Sequence, residues 1–409
     1  MTGPWWARPG LEVRDGSLHI AGREAEGIAR KHGTPLFAYD LVRMEEQALA
    51  LQGALARAGL RHRVRLALKA QRATQALAVL RALGPPGDPR SVGIDTCSPS
   101  ELLRALEHGW EPEEISYTGT NVSERDLDVV LAHPVHLNVD LLSQLDRVGR
   151  RAPGRTVGIR VNPRSGAGWD GSQTYSGYRP TKFGIYEEDL DRALEVARHH
   201  DLVIDTVHFH VGRAFLTEAL PAFERAVEAS ARMARRLLDA GMPIGEVNVG
   251  GGLGVPQREG DRPLDLDALC SMLARHLEAL DVTVATEPGD FLTKECAHLL
   301  AEVVTVEDRA GATFVGLDAG FTVAPEHFIY GTPVEVVVCR APGERGRRTV
   351  TVAGNINEGD DVFAEDVALP PVEEGDIVAM LNVGSYNAVM AMEHCLRPHA
   401  AAVFFTDRA

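Results

Sequence analysis

The sequence predicts an α/β chain with a β region beside it: a (β/α)8 TIM barrel plus a second, C-terminal β-sandwich-like domain. Three observations carry this. Short β-branched runs alternate with stretches of helical periodicity from about residue 64 to residue 287, which is the pattern of repeated βα units and a parallel sheet. The runs number eight, as a closed barrel of this kind requires. After Glu287 the alternation stops and valine-rich runs follow, separated by Gly, Pro and charged turns.

The eight runs are VRLALKA (64–70), SVGID (91–95), ISYTG (115–119), HLNVD (136–140), VGIRVN (157–162), IDTVHFHV (204–211), EVNVG (246–250) and TVATE (283–287). Between them, ATQALAVLRAL (73–83), PSELLRALEHG (99–109), EEDLDRALEVARHH (187–200) and PAFERAVEASARMARRLLDAG (221–241) have the apolar spacing of helices. A doubly wound open sheet competes, but eight paired units without a switch point favour closure. The later runs are LLAEVVTVED (299–308), TPVEVVVCRA (332–341), RRTVTVAG (347–354) and GDIVAMLNVG (375–384). The alternating LEVRDGSLHIAG (11–22) has the same character and could pair with them. The expected division is therefore a barrel over 34–290, with 1–33 and 291–409 forming the β domain and the helix at 40–58 leading into the barrel. The glycine-rich connection at 162–184 reads as a lid or binding loop.

Composition narrows the function. With 58 acidic and 42 basic side chains among 409 residues, the formal charge is −16, which argues against a nucleic-acid partner. No run approaches the length of a membrane span, and the start MTGPWWARPG lacks a signal-peptide layout, so a cytoplasmic location is expected. The five cysteines (Cys97, Cys270, Cys296, Cys339, Cys395) are far apart and never spaced as CxxC. We read all five as buried or idle, and expect neither a disulfide framework nor a metal site.

Chemistry in such a barrel gathers where strands end. Lys69, His210, the triplet Gly250, Gly251 and Gly252, and Glu287 all fall there. A lysine ending an apolar strand can snorkel to the rim, or it can be neutralised as a Schiff base with an aldehyde cofactor. Glycines after the seventh strand let backbone N–H groups approach a phosphate. VGGGLGVP lacks the spacing of a dinucleotide fingerprint. Glu287 could hold a pyridine nitrogen protonated, making the ring an electron sink, or form a salt bridge to an arginine such as Arg160. His208 and His210 alternate and so share a strand face, where one histidine packing on a flat cofactor is preferred to a metal pair. Together these residues describe a pyridoxal 5'-phosphate site.

The motifs FAYD (37–40), LALKAQ (66–71), IDTCSPSELLRALEHG (94–109), VGIRVNP (157–163), KFGI (182–185), HFHVG (208–212), VNVGGGLG (247–254), EPG (287–289), LDAG (317–320), NEGDD (357–361) and LNVGSY (381–386) resemble, in order, those of the fold-type III pyridoxal-phosphate decarboxylases, the family of diaminopimelate and ornithine decarboxylases. The resemblance implies that Lys69 carries the cofactor, His210 stacks on its ring, Glu287 holds the ring nitrogen and Arg160 lies near the ring hydroxyl. It places Gly250, Gly251, Gly252, Gly289 and Tyr386 around the phosphate. It also implies a homodimer with active sites at the interface, in which Asn357 and Glu358 reach the partner's site and Glu358 reads the amino-acid substrate.

Three positions depart from that pattern. Asn357 stands where the family has a cysteine, Arg213 follows Gly212 where it has serine, and Asp290 follows Gly289 where it has arginine. The last two suggest a charge swap near the phosphate, which would make Arg213 and Asp290 cofactor-binding residues. The implied activity is decarboxylation of an α-amino acid, with a specialised substrate such as a siderophore or antibiotic precursor. Lysine-pathway diaminopimelate decarboxylation and a racemase or epimerase are the alternatives.

Overall fold

A computed structural model of the chain describes residues 3–168, 175–344, 346 and 349–409. Its residues fall into two compact units, 47–255 with 262–291, and 1–46 with 256–261 and 292–409.

The first unit is a closed barrel of eight parallel strands: β1 (His62–Ala67), β2 (Val92–Thr96), β3 (Ile115–Gly119), β4 (His136–Val139), β5 (Thr156–Arg160), β6 (Val203–His208), β7 (Glu246–Asn248) and β8 (Thr283–Thr286), with β8 pairing back to β1. All eight expected strands are present. Several end earlier than their apolar runs, because the chain past each end turns to build loops: β6 stops at His208, not residue 211, and Lys69 lies two residues beyond β1. The helices are started by local chemistry. In α1 (Pro99–Glu107), Ser98 Oγ accepts from Glu101 N at 3.3 Å and proline sits in the first turn, where its missing N–H costs nothing. In α2 (Glu124–Leu131), Ser123 and Asp126 form a reciprocal capping box.

The barrel interior is not wholly apolar. Arg65 on β1 is buried and donates two hydrogen bonds to Glu246 at the start of β7, at 2.8 and 3.1 Å; Arg63 adds a third at 2.8 Å. Burial would raise the Glu246 pKa, but Arg65, His136 and Arg63 bring it down to about 2. A carboxylate with a depressed folded pKa stabilises above its unfolded value, here the ordinary 4.5, and that contribution is lost as pH falls through the folded value. Glu246→Ala strands a buried guanidinium, so we expect a loss of about 3–5 kcal/mol at pH 7, read by denaturant unfolding, that shrinks as pH falls from about 4.5 toward 2. A pH-independent difference would contradict it.

The second unit is mostly β. One sheet runs Val336–Val338, Ile377–Met380, Ala297–Arg309, Ala312–Leu317, Val350–Ala353 and Val362–Val367. The 13-residue strand Ala297–Arg309 joins its halves, pairing early with Ile377–Met380 and Leu36–Asp40 and later with Ala312–Leu317. This corrects the boundary expected at residue 34. Leu36–Asp40 is buried throughout and bonds to Ala297–Arg309 on one side and Ala401–Phe405 on the other, so it belongs to the β unit, and the division falls within helix Leu41–Arg57. The N-terminal strands Leu11–Arg14, Ser17–Ile20 and Arg23–Glu24 form their own small antiparallel sheet. They do not extend the main sheet but pack Leu11, Leu18 and Ile20 against Leu300, Val337 and Ala379. Among the described residues no helix is long and apolar enough to cross a membrane.

Candidate active site

Register brings the barrel-mouth residues together. Ala67 pairs with Asp95, and Leu68 N donates to Asp95 O at 2.9 Å, so the turn bearing Lys69 is tied to the end of β2. Lys69 is open to solvent yet ringed by enough protein that desolvation works against its charge. Asp95, Cys97 and Tyr175 together outweigh this and raise its pKa.

Glu287 follows β8 directly and is buried. Its Oε1 accepts from Asn248 Nδ2 at 2.6 Å and Ser116 Oγ at 3.3 Å, and its Oε2 bonds His208 Nε2 at 3.0 Å. Desolvation would raise its pKa, but His208, Arg65 and the Asn248 bond hold it far below the usual carboxylate range. Asp95, 3.0 Å from the same Ser116 hydroxyl, goes the other way: burial and then the Glu287 charge push it well above its ordinary value. One hydroxyl proton cannot serve two carboxylates. The two carboxylates therefore compete for the Ser116 proton.

Arg160, which ends β5, is not the ion-pair partner of Glu287 considered above. It lies 3.5 Å from Asp140 Oδ1 and stacks over the Phe183 ring at 4.3 Å. Asp140 also accepts from Thr120 and from Gly184 N, fixing the loop that carries the KFGI motif. Arg160 Nε is buried with no hydrogen-bond partner among the described residues.

His208 and His210 do not act as a pair. His208 ends β6 and binds Glu287; His210 lies beyond the strand. Its Nδ1 accepts from Gly251 N at 3.3 Å, and Tyr175 meets its ring edge-on at 4.8 Å. Desolvation, Lys69 and Arg160 hold its pKa well below the ordinary value, leaving a neutral flat ring suited to stacking. No group of three or more His, Cys, Asp or Glu side chains able to hold a metal occurs among the described residues.

The glycine triplet has to be glycine. Gly250 and Gly252 have φ of +69° and +94°, and a Cβ on Gly251 would lie 2.2 Å from Glu287 O. Gly250 O accepts from Glu287 N at 2.8 Å and Gly252 O from Phe215 N at 2.9 Å, so the segments after β6, β7 and β8 are laced together. Arg213 sits in the strand Gly212–Arg213, paired with Ala167–Gly168, and Gly289 and buried Asp290 follow Glu287. At the ends of the connection read as a lid, Asn162 bonds Thr181, Phe183 O and Ser176; its residues 169–174 lie outside the described residues.

Asn357, Glu358 and Tyr386 belong to the β unit. Asn357 and Glu358 are exposed, with Glu358 3.0 Å from His394 Nε2. Their loop is organised by Asp361, which accepts from Phe321 N at 2.8 Å and Ile356 N at 2.7 Å. Tyr386 has φ +58° and meets Tyr330 edge-on.

Sequence reasoning missed Asp95, Ser116, Asn248, Asp140 and Tyr175. Asn248 ends β7, Asp140 follows β4 and Asp95 is the last residue but one of β2, and each acts through a partner on another strand that the linear sequence does not show.

A glycine cradle that side chains would fill, an ionised Glu287, a neutral His210 and a reachable lysine fit a phosphorylated pyridine aldehyde. A sequence profile described as "Pyridoxal-dependent decarboxylase, pyridoxal binding domain" matches residues 41–294, and the chain belongs to that family. It is a pyridoxal-phosphate-dependent amino-acid decarboxylase. It is 34% identical to the diaminopimelate decarboxylase of Methanothermobacter thermautotrophicus, over 98% of this chain and 93% of that protein. With the diaminopimelate decarboxylase of Streptomyces coelicolor the identity is 30%, over 93% and 86%. The crystal structure of diaminopimelate decarboxylase from Helicobacter pylori complexed with L-lysine superposes with a TM-score of 0.84 at 26% identity, covering 93% of each chain.

Proposed function

We propose that the substrate is diaminopimelate or an α-amino acid of the same kind, with an amino group at its far end. The observation that carries this is likeness along nearly the whole chain to enzymes named for that substrate. Mass spectrometry of the holoenzyme in heavy water with diaminopimelate, ornithine, lysine, arginine and glutamate tests it: the expected product is lysine bearing one deuterium. Deuterium gained without loss of CO2 would move the chain to the racemases. A specialised substrate is a second reading, favoured by Asn357 and Asp290 at positions where the family has cysteine and arginine; turnover of none of the panel would support it.

In this reading Lys69 would hold the cofactor through its aldehyde. His210 would support one face of the ring, and ionised Glu287 would keep the ring nitrogen protonated. The bound cofactor supplies an electron sink for the pair left when CO2 departs. Gly250, Gly251, Gly252 and Gly289 would offer backbone N–H groups to the phosphate, and Arg160 would lie near the ring hydroxyl. Arg213 gives the phosphate its positive charge and Asp290 balances it. Arg213→Ser should therefore weaken cofactor affinity about tenfold or more by fluorescence titration, roughly 1.4 kcal/mol, with a smaller effect on substrate preference. Unchanged affinity would remove Arg213 from the phosphate. We also propose a homodimer in which exposed Asn357 and Glu358 serve the partner's site, Glu358 attracting the substrate's distal ammonium. A monomeric mass at micromolar concentration by sedimentation would exclude it.

A further inference from the structure

The pairing that fixes Lys69 also sets a thiol beside it. β1 and β2 are parallel with Ala67 opposite Asp95. Lys69, in the turn closed by Ala70 N and Ala67 O at 2.9 Å, and Cys97 each lie two residues past that pair, at the ends of neighbouring strands. The hydrogen bond from Leu68 N to Asp95 O, at 2.9 Å, carries the pairing past the strand ends. Each group affects the other's proton affinity, as neighbouring groups do. Cys97 is exposed, while Cys270 in the same unit is buried.

The thiol is also held. Glu101, in the first turn of α1, accepts at Oε2 both from Cys97 N at 2.8 Å and from Cys97 Sγ at 3.3 Å. An independent sign that a ligand belongs in this pocket comes from Arg160. It is 6% exposed, its Nε has no partner among the described residues, and its charge acts on Lys69. Desolvation, together with Glu101 and Asp95, pushes the thiol up to about 12 although Lys69 pulls the other way, so the acid form persists at neutral pH.

We propose that Cys97 delivers the proton to the substrate's α-carbon after CO2 has left, a step that rests on Lys69 carrying the cofactor. When the bond from the α-carbon to the carboxylate breaks, its electron pair stays with carbon. The S–H bond then breaks, a C–H bond forms, and the thiolate, stabilised by the Lys69 ammonium once that amine is free, recovers a proton from water. One solvent proton is consumed per CO2 released, and no oxidant or reductant is needed. This assigns work to a cysteine that spacing alone had marked as idle, and it needs no thiol at Asn357.

The test uses holoenzyme carrying Cys97→Ala, with Cys97→Ser as a second variant that keeps a hydroxyl toward Glu101. Both should retain the yellow band of bound cofactor and lose about 10²-fold or more in amine-forming kcat. A larger share of turnovers should end as an aldehyde product with the cofactor left as its amine, because the unquenched carbanion is protonated on the cofactor instead. Independently of activity, iodoacetamide should modify Cys97 of the wild-type chain at least tenfold more slowly with cofactor bound than after its removal, with Cys395 as the internal standard in peptide mapping. Unchanged rate and product partition in both variants, or equal labelling of Cys97 with and without cofactor, would overturn the proposal. A yellow band that survives Lys69→Ala would instead overturn the Lys69 reading, so the two failures are told apart.

Discussion

Lys69→Ala should yield a folded, colourless protein with decarboxylation reduced by on the order of 10⁴-fold or more, the scale of removing a covalent catalytic group. The site explains why the loss would be confined to chemistry. Lys69 lies in a turn beyond β1 and is open to solvent, while the barrel there is held by the β1–β2 pairing and the Leu68 N to Asp95 O bond. Removing the amine leaves those intact and also removes the cation beside Asp95, whose pKa should rise further. Absorbance of the purified variant and single-turnover CO2 release check this; a coloured variant with substantial activity would relocate the cofactor.

Glu287→Gln is expected to keep fold and cofactor but lower kcat by about 10²–10³-fold, the range for losing one preorganised electrostatic group. The substitution can be accommodated. A glutamine oxygen can retain the Asn248 donor, and its amide can face His208, which can shift its proton to Nδ1, an atom with no partner among the described residues. What disappears is the charge. Because Glu287 is held ionised far below the usual range by His208, Arg65 and Asn248 despite its burial, it stays charged over the working pH range. The wild-type acidic limb of kcat should therefore not report Glu287, and the variant should lose activity at every pH without a shifted limb. A loss restricted to low pH would contradict this assignment.

Much of the barrel was legible because its signals are local. Each β-branched run carries its own alternation with a helix, and a basic or imidazole side chain ending such a run is conspicuous. The β unit was less legible. Leu36–Asp40 falls inside the expected barrel boundary until its partners, some 260 residues on in Ala297–Arg309 and near the other end of the sequence in Ala401–Phe405, are known; nothing in FAYD announces that pairing. The polar second layer of the site failed for a related reason. Asp95, Ser116 and Asn248 matter through the proton they share around Glu287, a relation set by strand register, which spacing along the chain does not encode. Arg160, a reasonable charge match for Glu287, instead meets Asp140, just past the adjacent strand.

The lacing of the segments after β6, β7 and β8 bears on how such an enzyme can change. Phe215 N, Gly252 O, Glu287 N and Gly250 O bind three successive loops into a single brace, and Gly251 has no room for a side chain against Glu287 O. Transplanting any one of these loops from a relative would break contacts with the other two. New specificity should therefore arise by exchanging the three as a block, or in loops outside the brace, and single-loop chimeras at this end of the barrel should fail to hold cofactor even when each donor loop works in its own parent.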